Sequence, residues 1–454
     1  MPKRRTAFLI LVLTTIYGLV YWHAWPQAPC SVSDSPGYLE VARDLADGRL
    51  DQLQERVPGF PLLLVWTRSH ATPRRALFAV QLLLHAVATL ALCALLYRLT
   101  ASKPSVIALA TVAVLPPSVS HAGYVMSETL AEFWLIASVC ALTRGLLTGR
   151  WEWIVLGAVA TGWSALVRPT YSALAIAFVA VLWVLARRLA LPRQRFRAAS
   201  LALLLASGVA VGGYAGFNLM RFGYFGTTPL LGFNLCTRTV RVVERLPDEH
   251  RQIRTILVQH RDSVLVRRSS DHTATMYVWE AIPELREKTG LSMSQLNRKL
   301  LRLNVKLIAR GPMWYVAAVL ESAAHYWMPS VPLLANFDSQ LLQIVWAAVG
   351  FGLNLVFLAV VALALGSCVL GACVQGLSQT LRRAAPGETC VALGLAVTVV
   401  LYTFCISSVV EVGNPRYRAP TDLLALFASL LALNAWRRLR SNLPVQQVNG
   451  SHRC

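Results

Sequence analysis

Long apolar runs are the feature that most limits what this chain can fold into. Of its 454 residues, 56% are hydrophobic and only 14% are charged, and the mean hydropathy is +0.52. A bilayer core is about 30 Å thick and needs about 20 apolar residues per helix, which is near the length of most of these runs. Because lipid offers the backbone no hydrogen-bond partners, such runs cross a membrane as helices. The sequence therefore predicts an all-α, polytopic transmembrane helical bundle, with extracytoplasmic loops that carry juxtamembrane helices.

About ten spans are predicted, and both ends of the chain are placed in the cytoplasm. The first apolar run follows the basic start MPKRR and is interpreted as an anchor, because it ends in tryptophans suited to the interface and lacks a small-residue cleavage pattern. Basic residues cluster in alternate loops, and the positive-inside rule places those loops in the cytoplasm. The predicted spans are 7–24, 76–99, 105–119, 124–146, 152–167, 170–187, 198–217, 340–374, 389–410 and 420–436.

The same reading divides the chain into parts. Residues 304–328 either span the membrane or lie on its surface; a span there would place a later basic cluster outside, so an interfacial helix is preferred. The predicted parts are an N-terminal transmembrane catalytic module over 1–217 with its first extracytoplasmic loop at 25–75, an extracytoplasmic interfacial region over 218–338, C-terminal spans over 339–440 and a cytoplasmic tail over 441–454.

The excess of basic residues indicates topology and does not indicate nucleic-acid binding. The formal net charge is +21, but Lys and Arg separate apolar runs and do not form one stripe. No nucleic-acid partner is predicted. The nine cysteines show no CxxC spacing, so the sequence supports no zinc site. Cys30 and Cys236 both fall on the predicted outer side, where a disulfide between them is left open.

Two acidic residues lie at the outer ends of predicted helices. Asp34 precedes Pro36, which favours the start of a helix, so its carboxylate either caps that helix or faces a substrate. Glu128, in HAGYVMSETLAEFW, lies at the outer end of the fourth span, where an unpaired charge is expensive and indicates function. Glu132 lies one turn deeper on the same face, and a second interpretation is that one of the two acids only neutralises a partner of the other.

A metal site is one interpretation of these acids. His121, together with Asp34 and Glu128, offers imidazole and carboxylate ligands of the kind that divalent metal ions bind. The simpler interpretation is a solvated histidine near the interface.

Arginines on the same outer face are candidates for phosphate binding. A guanidinium fork matches a phosphate better than a lysine does, although each arginine could equally meet lipid headgroups. Because the acids and arginines come from distant loops and share one face, the sequence predicts a pocket between helices there. The candidates are Arg56 in RVPGFP, Arg168 in ALVRPTY, and Arg416 and Arg418 in NPRYRAP.

These motifs together resemble those of the GT-C superfamily of integral membrane glycosyltransferases. They occur in the order DSPGYLEVARDLADG, RVPGFPLLL, PPSVSHAGYVMSETLAEFW, LVRPTY and NPRYRAP. Within that superfamily, the chain is most similar to the bacterial branch of protein O-mannosyltransferases and lipid A aminoarabinose transferases. The resemblance covers about the first 220 residues well and the last 60 moderately.

The resemblance implies roles for the candidate residues. Asp34 matches the catalytic carboxylate of the first extracytoplasmic loop, and Glu128 matches a second acid of the same cavity. Arg56, Arg168, Arg416 and Arg418 match basic residues that face the phosphate of a polyprenyl carrier. Many relatives carry two adjacent acids in the first loop, whereas this chain has Asp34 followed by Ser35, which puts a metal-bridging role in doubt.

The implied function is transfer of a hexosyl- or pentosyl-type sugar from a polyprenyl-phosphate carrier, with inversion. The acceptor would be an envelope glycan, lipid or protein on the extracytoplasmic side of a bacterial inner membrane. A transporter or flippase of a lipid-linked sugar is the alternative, and it would favour internal repeats, which the sequence does not show. A membrane scaffold is a third interpretation, but it leaves the clustering of acids and arginines unexplained.

Overall fold

The fold is known from a computed structural model, and the regular elements of the part that it describes are helices. The described residues are 29–32, 34–54, 56–71, 74–189, 192–268, 277–328, isolated positions between 344 and 362, and 387–441. The predicted anchor at 7–24 lies outside them, as do most of 340–374 and nearly all of the predicted tail. Within them there is no β-strand, and a single parallel bridge joins Cys30 and Tyr124. The predicted all-α class is confirmed.

The N-terminal part begins with two short helices that contribute to the site and continues with long apolar helices. A π-helical turn interrupts the last of them at Gly208–Gly212. The helices are α1 (Ser35–Ala46), α2 (Gly59–Trp66), α3 (Arg75–Thr100), α4 (Lys103–Ala113), α5 (Glu128–Thr148), α6 (Trp151–Val167), α7 (Leu174–Arg188) and α8 (Arg193–Phe222).

The middle and C-terminal parts complete the described chain. The middle helices are amphipathic and enclose a hydrophobic core of their own, which is built on residues such as Phe233, Leu257 and Leu300. These helices are α9 (Leu231–Thr239), α10 (Arg251–Arg268), α11 (Tyr277–Thr289), α12 (Met293–Arg310) and α13 (Pro312–Tyr326), and the last two described helices are α14 (Gly387–Val410) and α15 (Asp422–Ser441).

Six described stretches are long and apolar enough to cross a membrane, which confirms the polytopic prediction. They are Arg75–Thr100, Glu128–Thr148, Pro169–Arg187, Arg193–Phe222, Gly387–Val410 and Pro415–Arg438. Helix α4 and the segment Pro117–Gly123 form a pair bent by 62°, which makes a seventh span if the two are counted together. Helix α6 is apolar but has only 17 residues. The exact count of ten spans stays a prediction.

Helix α5 lies at the centre of the bundle and packs against α3, α6 and α14. Its closest neighbour is α6, because Gly157 brings the α6 backbone against Leu142. A Cβ at Gly157 would lie 2.6 Å from the Leu142 side chain. This close packing fixes the position of Glu128 at the start of α5, and of Arg168 directly after α6.

A buried polar pair holds the bent span in place. The carbonyl oxygen of Ala113, at the end of α4, lies 2.8 Å from Nε2 of His85, whose Nδ1 lies 3.0 Å from Glu132 Oε2. Since a carbonyl oxygen only accepts, Nε2 carries a proton, and the pair shares a second proton between His85 and Glu132. Glu132 therefore binds His85 and takes no part in binding the outer arginines.

The disulfide left open between Cys30 and Cys236 is not formed. Cys236 is buried in the core of the middle helices, where Nδ2 of Asn304 lies 3.2 Å from its sulfur. Cys30 instead exchanges backbone hydrogen bonds with the segment before α5, donating to Gly123 and accepting from Val125. The two cysteines belong to different packing units, which their positions in the sequence did not reveal.

Candidate active site

The start of α1 presents Asp34 without using its carboxylate as a helix cap. Asp34 occupies the N-cap position, but its side chain accepts no hydrogen bond from the first turn. The adjacent Ser35 holds this turn instead, because its hydroxyl accepts from Val32 N at 2.8 Å and donates to Val125 O at 2.9 Å. The capping interpretation of Asp34 is therefore wrong, and its carboxylate is available for other partners.

Two arginines bind the Asp34 carboxylate. Arg56 Nη2 lies 3.2 Å from Oδ1, and Arg416 Nη2 lies 2.7 Å from Oδ2. The Arg56 guanidinium also lies 4.8 Å from the centre of the Tyr38 ring, on the next turn of α1. One loop and one distant helical turn thus bind the same carboxylate from two sides.

Glu128 forms the second centre of the cluster. Its Oε1 accepts a hydrogen bond from Arg416 Nε at 2.6 Å, and Arg168 Nη1 lies 3.0 Å from the same oxygen. The position of Glu128 in the first turn of α5 also suits a carboxylate, since the amino-terminal end of a helix is electropositive. Gly59 lets α2 contact the end of α6 near Arg168, because a Cβ there would lie 2.6 Å from Leu166 O.

The side chains of the cluster range from a partly exposed rim to a buried base. The exposed fraction is 35% for Asp34, 20% for Arg416 and 1% for Glu128. Arg56 lies near the rim at 28%, and Arg168 lies near the base at 11%. The arrangement therefore places one acid where an acceptor can reach it and the other below, with Arg416 between them.

The electrostatics of this cluster favour an added anion. The carboxylates of Asp34 and Glu128 face the guanidinium groups of three arginines, so the ion pairs of the cluster hold one more positive than negative charge. Burial alone would raise the pKa of Asp34, but Arg416 and Arg56 outweigh it and hold that pKa below its ordinary value. Glu128 Oε2 and Arg168 Nη1 are buried without a hydrogen bond of good geometry among the described residues. Arg168 Nη1 is thus held by its ion pair with Glu128 Oε1 at 3.0 Å and not by an aligned hydrogen bond.

Arg418 does not join the cluster, although its sequence position suggested that it would. Its side chain is fully buried, and Nε donates to Asp422 Oδ1 at 2.8 Å. Nη1 donates to the carbonyl oxygens of Tyr326 and Met328 at 3.1 and 3.2 Å. The helical turn Pro415–Arg418 points Arg416 and Arg418 in different directions, so the expected phosphate contact of Arg418 is corrected to a structural one.

The expected metal ligands are not assembled either. No three His, Cys, Asp or Glu side chains in the described ranges lie together as ligands of one ion. Arg416 binds both Asp34 and Glu128, so a cation already neutralises the two carboxylates. His121 lies in the 3₁₀ turn Ser120–Gly123, where its Nδ1 is buried without a described hydrogen-bond partner. The residues do not fit a three-ligand divalent site.

Glu411 is a further acid that our sequence reasoning missed. It follows α14 and bonds to Tyr417, and Asn234 Nδ2 donates to its Oε1 at 3.4 Å. Burial raises its pKa, while the charges of Arg168 and Arg416 oppose the rise. The motif EVGNPRYRAP contains Glu411 two residues before Gly413, whose positive φ of 58° turns the chain back. The position of this acid close to the candidate arginines in the sequence was the signal that could have identified it.

Comparison of the sequence with protein-family models gives no match, and comparison with curated proteins gives none. Solved structures do match. The oligosaccharyltransferase AglB from Archaeoglobus fulgidus, in complex with an inhibitory peptide and a dolichol-phosphate, aligns at a TM-score of 0.50 and 13% identity over 97% of this chain and 52% of that one. Its apo form aligns at a TM-score of 0.51 and 14% identity over 96% and 52%.

ArnT from Cupriavidus metallidurans bound to undecaprenyl phosphate is a more distant match. It aligns at a TM-score of 0.39 and 14% identity, over 95% of this chain and 78% of that one. The fold and the site thus define a helical integral membrane protein with a buried cluster of acids and arginines. The chain shares its fold with the AglB structures, and it spans about half the length of the AglB chain.

Proposed function

We propose that the protein is a glycosyltransferase that moves a sugar from a polyprenyl-phosphate carrier to an extracytoplasmic acceptor. The observation that carries this proposal is the double contact of Arg416 with Asp34 and Glu128, with Arg56 and Arg168 on either side. These ion pairs hold one more positive than negative charge, and arginine forks at such a site suit a leaving phosphate. No covalent nucleophile is required.

The carrier phosphate would bind at the arginines. In the reaction, the bond between the anomeric carbon and the phosphate oxygen breaks, and the phosphate leaves with the bonding electrons. Arg168 and Arg416 stabilise the negative charge that develops on it, because they lie in a water-poor environment where such contacts are strong. Glu128 holds both guanidinium groups in place and takes no proton.

The acceptor would approach from the rim, where Asp34 is exposed. Its hydroxyl or amine attacks the anomeric carbon from the face opposite the phosphate, so a single displacement inverts the configuration. Asp34 accepts the proton of the acceptor as the new bond forms. Because its pKa is low, Asp34 is ionised before each turnover and releases the proton readily to water afterwards.

The fold comparison supports the donor class. The AglB structure is described as a complex with an inhibitory peptide and a dolichol-phosphate, so a protein of this fold holds a lipid phosphate together with a peptide. By analogy, the donor proposed here is a polyprenyl-phosphate-linked sugar of the hexosyl or pentosyl type. The acceptor is an envelope glycan, lipid or protein, and the site faces the extracytoplasmic side of a bacterial inner membrane.

The test uses the full chain in proteoliposomes with a panel of labelled polyprenyl-phosphate sugars and an envelope extract as acceptor. The parent protein should release polyprenyl phosphate and label the acceptor, whereas Asp34→Asn should bind the carrier and transfer almost nothing. Full transfer by Asp34→Asn would refute the role of Asp34. Movement of the intact donor between leaflets without any transfer would establish a flippase instead.

A further inference from the structure

Helix α13 exposes a stripe of apolar residues, and the partly exposed Glu321 beside it is paired with Arg241 at 2.9 Å. The exposed residues recur at helical spacing, and Met313, Val316 and Leu320 are exposed by 76%, 46% and 65%. The exposed positions are Pro312, Met313, Val316, Ala317, Leu320, Ala324 and, just beyond the helix, Met328. In water, such a stripe would be a liability, so its position requires an apolar environment.

The opposite face of α13 packs against the outer end of a membrane-spanning helix. Tyr315 OH donates to Val409 O at 2.7 Å, and the Tyr326 ring lies 5.3 Å from that of Phe404. Both partners belong to α14, one of the stretches that can cross a membrane. Phe404 lies about one and a half turns further into that span than Val409, so α13 runs alongside the span, and its exposed stripe is at the level of lipid.

Helix α12, which leads into α13, exposes a row of basic residues. The residues are four positions apart, so they form one inclined row about 18 Å long. Leu296, Leu300, Leu303 and Leu307 cover the other side and are buried in the core of the middle helices. The basic row is Arg298, Arg302, Lys306 and Arg310.

Helix α12 itself offers this row no acidic partner. Helix α12 contains no Asp or Glu, and no described carboxylate forms an ion pair with any of the four basic side chains. Like charges four residues apart repel each other on a helix. Exposed Val305 and Ala309 lie between the basic residues, and Gly311 alone separates Arg310 from α13. The last basic residue of the row thus lies next in the chain to the start of the α13 stripe.

We infer that α12 and α13 together dock the middle helices onto the headgroups of anionic phospholipids in the surrounding bilayer. The α13 stripe enters the apolar boundary, and the α12 row binds the phosphate layer immediately above it. This combination of an apolar face and basic side chains is the one that interfacial helices use. The inference does not depend on sugar transfer, since it concerns a surface outside the cluster of Asp34 and Arg416.

The experiment places an environment-sensitive fluorophore at Val305→Cys, in the full chain whose cysteines other than the buried Cys93, Cys236 and Cys390 are replaced by Ser. Nanodiscs contain either phosphatidylcholine alone or phosphatidylcholine with phosphatidylglycerol, and both contain a lipid with a nitroxide at its headgroup. We expect stronger quenching in the anionic discs. Replacing the four basic residues of α12 by Gln should remove the difference, at about fivefold weaker lipid association per charge.

A matched control neutralises exposed basic residues elsewhere on the middle helices. The triple variant Arg251→Gln, Arg286→Gln, Lys288→Gln should keep the quenching of the parent. If the fourfold α12 variant unfolds, the single change Arg302→Gln provides the graded test. Equal quenching in neutral and anionic discs would overturn the inference. The inference would also be overturned if a soluble polyanion changed the fluorescence in neutral discs while anionic lipid did not change the quenching.

Discussion

Glu128, the first residue of α5, accepts a 2.6 Å hydrogen bond from Arg416, which lies 288 positions later in the chain. The same guanidinium binds Asp34 at the start of α1. One arginine thus joins the first loop, the central helix and the turn before the last helix. The cluster is complete only when these three segments meet, so it depends on the whole bundle.

Arg416→Lys should reduce transfer strongly while retaining the charge. A lysine ammonium is a single point and cannot reproduce a fork that binds Asp34 and Glu128 at once. Displacement of either acid by about 1 Å would lower the transfer rate by about 100-fold. Initial rates with the labelled donor measure this. The control is Arg221→Lys at the exposed pair with Asp51, which should leave the transfer rate unchanged. A transfer rate of Arg416→Lys equal to that of the parent protein would contradict the role of Arg416.

Arg418→Gln should affect stability and not carrier binding. The variant leaves Asp422 without its partner and removes the donors that bind the carbonyl oxygens of Tyr326 and Met328. We expect a loss of about 3 kcal/mol in the free energy of unfolding, because one member of a buried pair is removed. Thermal unfolding in detergent measures this loss. The affinity of the folded fraction for the carrier should match that of the parent protein. A loss of carrier affinity without a loss of stability would show that Arg418 binds the phosphate.

Asp34→Asn should destabilise the protein in a pH-dependent way. The folded state favours ionised Asp34, since Arg416 and Arg56 lower its pKa from the ordinary value of 3.8. Its contribution to stability is therefore present above that value and is lost as the pH falls through the lowered pKa. The melting temperatures of parent and variant should differ at neutral pH and converge below pH 3.8. A constant difference at every pH would show that charge is not the cause.

Glu411→Gln should have the opposite pH dependence. Burial raises the pKa of Glu411 above its ordinary value of 4.5, so the folded state favours the neutral acid. Its contribution to stability is complete below pH 4.5 and declines as the pH rises through the raised pKa. The amide resembles the neutral acid, so the variant should melt higher than the parent at neutral pH and equally at acid pH. A lower melting temperature at neutral pH would show that ionised Glu411 stabilises the fold.

Local patterns predicted much of this protein correctly. The apolar runs predicted α3, α5 and α14, because a helix that meets lipid must be apolar over its whole length. Pro36 placed the start of α1 correctly, since proline favours the first helical turn. The resemblance of the motifs predicted a helical membrane fold, which the AglB structures share. By contrast, the segment predicted as one span over 105–119 bends, because α4 ends at Ala113 and His85 binds its last carbonyl.

Only the tertiary structure shows which side chains from distant segments contact each other. The sequence grouped Arg416 with Arg418, but the turn between them sends Arg416 to Glu128 and Arg418 to Asp422. It left open whether Asp34 caps a helix or faces a substrate, whereas in the structure Ser35 secures that turn through Val125.

The physical reason is that sequence pattern reports what each segment needs. An apolar run needs lipid or a core, and a buried charge needs a partner. Which partner it finds depends on contacts such as Gly157 against Leu142, whose geometry exists only once the helices pack. The sequence by itself therefore determined that a membrane bundle would carry acids and arginines on one face, and packing decided that Arg416 would join them.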